Sequence, residues 1–246
     1  MRTKTFCLLA LSVAGVFSET AQAQEQRVLV QSPVPFLYSR GRNIAVTDRD
    51  KPELQALGIN AGGFQLYPRL QVGVAYTDNV YRQDANKIDD VTFTVEPGIA
   101  ARSNWSRHML NLTASAPLVR QAKETRRNEN GWNVAAIGRL DVGSQSFVNL
   151  EASTAQLFES NFSGAQLVNF ASPRRFQRTY AAVRGNYITG QFRIVGAVDY
   201  NNFNFKSVEL FDGSRLSQDD RDREVTRATG QVEYGLSPDT SVFVQV

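Results

Sequence analysis

The sequence predicts an all-β chain folded as an antiparallel up-and-down transmembrane β-barrel, on three observations. Apolar and polar residues alternate over successive segments of about ten residues. The connections between segments are alternately short and long. A secretion signal opens the chain, and no later run supplies the roughly 20 apolar residues of a membrane-spanning helix.

The signal occupies residues 1–23. Arg2 and Lys4 give it a positive start, Phe6 to Phe17 an apolar core, and Ala21-Gln22-Ala23 a small-x-small cleavage site. The mature chain is expected to begin at Gln24. Cys7, the only cysteine, lies inside this signal without a lipobox, so the mature chain has neither a disulfide framework nor a thiolate metal site. The formal charge of +3 falls to about +2 without Arg2, Lys4 and Glu19, too mild and too interspersed to argue for nucleic acid.

Residues 24–63 read as an irregular periplasmic extension, broken by Pro33 and Pro35 and made polar by Arg40, Arg42, Asp48, Arg49, Asp50 and Lys51. It is expected either as a mobile tail or folded back as a plug.

From Phe64 the period becomes two. Phe64, Leu66, Leu70, Val72, Val74 and Tyr76 share one parity, and Gln65, Tyr67, Arg69, Gln71, Gly73 and Thr77 the other. The same alternation predicts strands over 91–102, 108–118, 132–142, 147–157, 178–188, 192–204 and 225–236, with a last one starting near Ser241. The connections near 103–107, 143–146, 189–190 and 237–240 are short and carry turn residues. Those near 78–90, 119–131, 158–177 and 205–224 are long, polar and charged. Tight periplasmic turns at one end and long external loops at the other are the outer-membrane pattern. A ten-residue strand rises about 34 Å. Tilted near 40°, it spans roughly 26 Å, close to an apolar band about 25 Å tall. Tyr67, Tyr76, Tyr81, Trp105, Trp132, Phe158 and Tyr200 fall near predicted strand ends, where interfacial aromatics belong. A soluble β-sandwich gives no reason for the alternation of connection lengths.

The stretch from about Asp48 to Ala116 resembles the putative beta-barrel porin 2 family. The resemblance rests on Arg49-Asp50-Lys51-Pro52-Glu53, Leu57-Gly58-Ile59, Gly63-Phe64-Gln65-Leu66-Tyr67-Pro68, Tyr76-Thr77-Asp78-Asn79-Val80-Tyr81, Glu96-Pro97 and Ser103-Asn104-Trp105-Ser106-Arg107-His108. It implies an outer-membrane barrel often linked to exopolysaccharide or capsule export, and it carries no catalytic residues over. The family's barrels are longer. This chain stops inside what reads as a ninth strand, without a terminal aromatic, whereas bacterial single-chain barrels have an even strand number. The expectation is therefore an incomplete barrel, about nine strands of a larger one.

The polar parity nominates lumen-facing residues: Arg69, Glu96, Arg102, Arg139, Asp141, Glu151, Arg184, Arg193, Asp199, Arg227 and Glu233. Charged linings select permeants, and the slight arginine excess favours anionic solutes, acidic sugars among them. An internal ion-pair network is the competing reading. Ser106 and His108 invite an enzyme reading, but they sit at a predicted turn with no acid placed to orient the ring. Asp219, Asp220 and Asp222 lack the glycine and distal glutamate of a calcium loop. The sequons at Asn104, Asn111 and Asn161 are chance matches. No cofactor or metal is expected. The expected partners are outer-membrane lipid and lipopolysaccharide, the barrel-assembly machinery and polysaccharide-export components. The leading function is passive transport or export of polar solutes; the alternatives are a surface-interaction protein with a narrow or plugged lumen and an outer-membrane enzyme.

Overall fold

The computed structural model describes residues 56–83, 85–159, 170–237 and 239–246. The signal, the leader as far as 55 and the sequon at Asn161 lie outside the described residues.

Among the described residues, fourteen strands form in chain order: β1 (Ile59–Ala61), β2 (Phe64–Thr77), β3 (Asp90–Ser103), β4 (Met109–Ser115), β5 (Leu118–Gln121), β6 (Glu129–Asn130), β7 (Trp132–Asp141), β8 (Phe147–Phe158), β9 (Arg175–Thr189), β10 (Phe192–Phe205), β11 (Val208–Glu209), β12 (Arg215–Leu216), β13 (Arg223–Ser237) and β14 (Thr240–Gln245). The main sheet runs β1-β2-β3-β4-β7-β8-β9-β10-β13-β14, every pairing antiparallel between neighbours on this path. β5 extends the ladder on β3 and pairs β6. The meander is an open sheet: its first and last strands are not paired to each other. No helix among the described residues is long and apolar enough to cross a membrane, which says nothing of strands.

The register keeps parity from strand to strand, and so carries the alternation of each segment across the whole sheet. Val72 faces Val95, Ile99 faces Ala114, and Val134 lies between Ala114 and Thr154. Leu150 faces Val183, which faces Val198, which faces Ala228, and Val232 faces Val244. One face is thus apolar from β2 to β14. It is also the uncovered face: Leu70, Val72 and Val74 are 68%, 69% and 71% exposed. The opposite, polar face is the covered one, with Asn201 at 0%, Gln231 at 2% and Asn186 at 3%. Among its apolar members, Phe176, Phe203 and Phe205 form a small core with Leu157 at the long-loop end. A soluble protein buries the face this chain exposes.

Aromatics frame the apolar face. Phe64 meets Trp105 edge-on, and Phe192 lies against Tyr234, at the short-turn end. Tyr76, Trp132 and Tyr200 lie near the long-loop ends of their strands. Between Phe192 and Tyr200 the apolar parity of β10 reads Ile194, Gly196, Val198, with no charge. Tight turns close the short end. Gly62 follows β1 and Gly190 follows β9, each with φ near +60° (+63° and +55°), a region open to glycine without strain.

Two expectations are corrected. The extension is not irregular to its end, because Ile59–Ala61 folds back on Phe64–Leu66 as a hairpin. The strand expected over 108–118 ends at Ser115, since proline cannot donate to a ladder and Pro117 separates β4 from β5. The long connections 119–131 and 205–224 contain β6 and the hairpin β11–β12. Two aromatics also leave the frame: Tyr67 has polar-face parity and donates to Gln65 Oε1, and Tyr81 packs among the loops.

Candidate functional site

The eleven nominated residues all fall on the polar face. Arg69 lies on β2, Glu96 and Arg102 on β3, Arg139 and Asp141 on β7, and Glu151 on β8. Arg184 lies on β9, Arg193 and Asp199 on β10, and Arg227 and Glu233 on β13. Eight of them form four ion pairs: Arg69–Glu96 at 2.7 Å, Arg139–Asp141 at 2.8 Å, Arg227–Asp199 at 3.0 Å and Arg193–Glu233 at 3.4 Å. Three pairs join adjacent strands. Arg139 and Asp141 share one edge of β7. Arg102 lies over the Tyr67 ring at 5.1 Å, Glu151 stands between Ile137 and Ala182, and Arg184 between Asn149 and Ala197. Arg193 Nε also donates to Asn186 Oδ1, and Asn201 Nδ2 to Asp199 Oδ2. The pairing leaves a charged face whose individual pairs add little stability where exposed.

Charge is unevenly spread over this face. The polar parity of β9, β10 and β13 carries Arg178, Arg184, Arg193, Arg223 and Arg227 against Asp199 and Glu233. From β2 to β8 it carries Arg69, Arg102 and Arg139 against Asp90, Glu96, Asp141 and Glu151.

An exposed apolar face backed by a covered, charged one, in a ten-strand antiparallel meander, restricts the comparison to membrane β-barrels. The model of the family described as putative beta-barrel porin 2 matches residues 51–246. The chain belongs to this family. No curated protein and no solved structure matches it. Membership makes this barrel porin a membrane protein, in which the apolar face is the one that meets lipid.

The long loops of this barrel porin are tied together by residues that the alternation could not nominate. Asp90, fully buried at the start of β3, accepts backbone N–H groups from Val91 (2.7 Å), Ala122 (3.0 Å), Lys123 (3.1 Å) and Glu124 (2.8 Å). It pins the 122–128 segment to the end of the β2–β3 loop. Beside it Lys123 Nζ reaches Asp89 at 2.7 Å, and this hydrogen bond holds the Asp89 carboxyl below its ordinary range. Tyr81 donates to Glu124 Oε2 at 2.6 Å and meets Phe211 edge-on at 5.0 Å. Burial, together with the Glu124 carboxylate, pushes the Tyr81 phenol up to about 12. Burial likewise raises Glu129, with Arg127 pulling the other way. Phe211 belongs to the β10–β13 connection, which the sheet separates from the β2–β3 loop by β4, β7, β8 and β9. The contact therefore requires the sheet to curve with its polar face inward and its loops to meet across the long-loop end. Arg126 approaches Glu209 at 4.0 Å across the same gap.

The remaining motifs have structural work. His108, at φ +67°, offers Nδ1 to the backbone N–H of Asp141, while its own N–H donates to Asp141 Oδ2 at 3.1 Å. The imidazole is thereby used to join two short turns. Asp222 accepts from Phe205 N at 2.6 Å and Asn204 Nδ2 at 3.1 Å, anchoring the loop before β13. Among the described residues no group of three or more metal-ligating side chains gathers.

Proposed function

We propose that this barrel porin sits in the outer membrane and provides the wall of an aqueous path for polar solutes, with exopolysaccharide among the substances it passes. The supporting observation is the sorting of charge. All eleven nominated residues share the concave face, and the convex face is apolar from aromatic frame to aromatic frame. Water is the only solvent suited to a face lined by arginine, aspartate and glutamate, and lipid the only one suited to exposed leucine and valine. In this reading the signal at 1–23 directs secretion and the segment 24–63 stays periplasmic. The assembly machinery inserts the strands, and lipopolysaccharide surrounds the long-loop end. No catalytic role is assigned, because His108 and Asp141 are committed to the turn backbone.

Planar-bilayer recording of the refolded chain tests the proposal. Discrete conductance steps are expected, with reversal potentials displaced toward the anion; a membrane left non-conducting, or a cation-selective one, refutes the conduit or its sign.

A second reading has one observation of its own. The Tyr81–Phe211 and Arg126–Glu209 contacts draw the loops over the long-loop end, as a plugged surface protein requires. Loop deletions that abolish attachment while leaving permeability unchanged would favour it.

A further inference from the structure

The apolar side of β8, β9 and β10 changes character in rows toward the long-loop end. The register aligns Leu150 with Val183 and Val198, and beyond them Ala152 with Ala181 and Tyr200. The next row is Thr154, Thr179 and Asn202, and the one after it Gln156, Gln177 and Asn204. The last is Phe158 and Arg175, continued on the β10 side by Lys206. Aliphatic side chains thus give way to an aromatic, then to hydroxyls and amides, then to cations.

Arg175 and Lys206 share this side by alternation, since each adjoins a phenylalanine of the cluster on the opposite side, Phe176 and Phe205. The Lys206 N–H donates to the Arg175 carbonyl at 3.0 Å, so the two cations belong to neighbouring strands. Both residues are exposed. Like charges side by side across a ladder repel, and the chain supplies neither with a carboxylate. Among the described residues the Arg175 guanidinium has no hydrogen bond, ion pair or ring contact, and Lys206 Nζ donates to a neutral acceptor, Asn204 Oδ1. The acids nearby are engaged otherwise. Asp222 accepts from Phe205 N and Asn204 Nδ2, and Glu224 from Asn202 Nδ2.

We propose that Arg175 and Lys206 bind an anionic group on the sugars of a phosphorylated glycolipid in the surrounding outer leaflet. Their side of the sheet faces lipid lower down, so the ligand lies outside the barrel wall. Height decides which lipid. Lys206 is six positions beyond Tyr200. At about 3.4 Å per residue and a tilt near 40°, this places it roughly 15 Å beyond the aromatic level. A phospholipid headgroup layer is about 5–8 Å thick, which leaves the cations above its phosphates. A glycolipid fills that interval with sugars, and the threonine, glutamine and asparagine rows offer hydrogen bonds to hydroxyls throughout it. At the top an arginine fork takes a phosphate through two bonds, and lysine adds a point charge.

The inference rests on the outer-membrane placement proposed above, but binding needs no conduction, so the two fail separately. The experiment follows binding of rough-form lipopolysaccharide to the full chain, refolded in detergent, by thermophoresis. Enzymatically dephosphorylated lipopolysaccharide, phosphatidylglycerol and inorganic phosphate are the comparison probes. Expected is a loss of about tenfold or more in affinity for lipopolysaccharide in Arg175→Gln/Lys206→Gln, because charge-assisted bonds are removed. Dephosphorylation is expected to weaken binding to the parent by a similar factor. Phosphatidylglycerol is expected to bind parent and variant alike, and inorganic phosphate at millimolar concentration to displace nothing. Arg175→Lys, which keeps the charge and loses the fork, is expected to fall between, and it decides the matter should the glutamine pair not fold. Lys87→Gln/Arg215→Gln removes two exposed loop cations and is expected to bind as the parent does. Equal affinity in the parent and the Arg175→Gln/Lys206→Gln variant overturns the proposal, as does an equal loss in the loop variant. Loss of phosphatidylglycerol binding from the same two residues, or displacement by inorganic phosphate, overturns the glycolipid as the occupant. A chain that binds lipopolysaccharide through this pair but passes no current overturns the conduit and leaves the site standing.

Discussion

Replacing Asp90 by alanine is the most informative single perturbation of the loops. Its carboxylate is fully buried and takes backbone N–H groups from Ala122, Lys123 and Glu124 besides that of Val91. Truncation leaves these donors facing a small cavity. An unsatisfied buried donor costs about 1–3 kcal/mol. Ala122 N–H keeps the Val91 carbonyl at 3.0 Å, and part of the rest is recovered as water enters, so a local loss of about 3 kcal/mol is reasonable for the Lys123 and Glu124 donors together. That raises the open population of the 122–128 segment roughly hundredfold. Strand pairing far from the segment is unaffected.

Lys123, Arg126 and Arg127 lie in the freed segment, so limited trypsin digestion of the folded protein in lipid vesicles reads the opening directly. The expected result is cleavage at these sites faster by that factor, with the β8–β9–β10–β13 fragment still protected. Asp90→Asn keeps one acceptor oxygen but turns an amide N–H₂ toward the same donors, and is expected to fall between parent and alanine. Parent-like digestion of Asp90→Ala would show that β5 and β6 hold the segment without the carboxylate, and the reasoning would be wrong.

Three further outcomes follow from the same geometry. The Tyr81 phenol, raised to about 12, stabilises the loop contact fully below the ordinary phenol range near 10 and loses that contribution as pH climbs through about 12. Ultraviolet titration should show a late tyrosine ionisation that is lost in Tyr81→Phe. Glu129 is raised by burial, so its protonated form is the one the fold favours; that contribution is present at acid pH and lost as pH rises through the raised value. Glu129→Gln is expected to melt higher than the parent at neutral pH and level with it in acid, as followed by differential scanning fluorimetry. On β2, Val72→Arg puts a charge on the lipid face and should cost about 2–4 kcal/mol in urea titrations of folding into vesicles. The neighbouring Gln71→Arg, on the polar face, should cost far less, and equal losses would contradict the assignment of faces.

The alternation carried a good deal of this structure because a strand offers only two sides. Once Val72 and Val74 share a side, Gln71 and Gly73 must share the other, and antiparallel register passes the choice to Val95 and Glu96 without further information. The same logic placed all eleven nominated residues on one face. What it could not nominate are groups fixed by loops. Asp90 reads in sequence as one more polar residue of a long connection, Ile88-Asp89-Asp90-Val91. Its role depends on three N–H groups more than thirty positions later. Tyr81 reads in sequence as an interfacial aromatic, since tyrosine near a strand end usually is one; only the path of the β10–β13 loop brings Phe211 to it. Phe176 and Phe205 lie just outside the strands predicted over 178–188 and 192–204, so the alternation assigns the Phe176–Phe203–Phe205 cluster to no face.

The arrangement of burial decides between a soluble sandwich and a membrane wall more firmly than composition does. A sandwich has two sheets whose inner faces are apolar and packed together, and whose outer faces are wet. Here one sheet covers Asn186, Asn201 and Gln231 on its polar face, and leaves valine and leucine more than two-thirds exposed on β2. In water that inversion is doubly unfavourable. Each exposed side chain forgoes about 1.5–3 kcal/mol of burial, and the covered charges still need partners. In a bilayer both terms change sign together, because lipid accepts the apolar face and the concave polar face keeps its water. The register makes the inversion continuous from β2 to β14, so a second sheet large enough to cover the apolar face would have to match nine strands. Hydrocarbon covers the same area without matching anything.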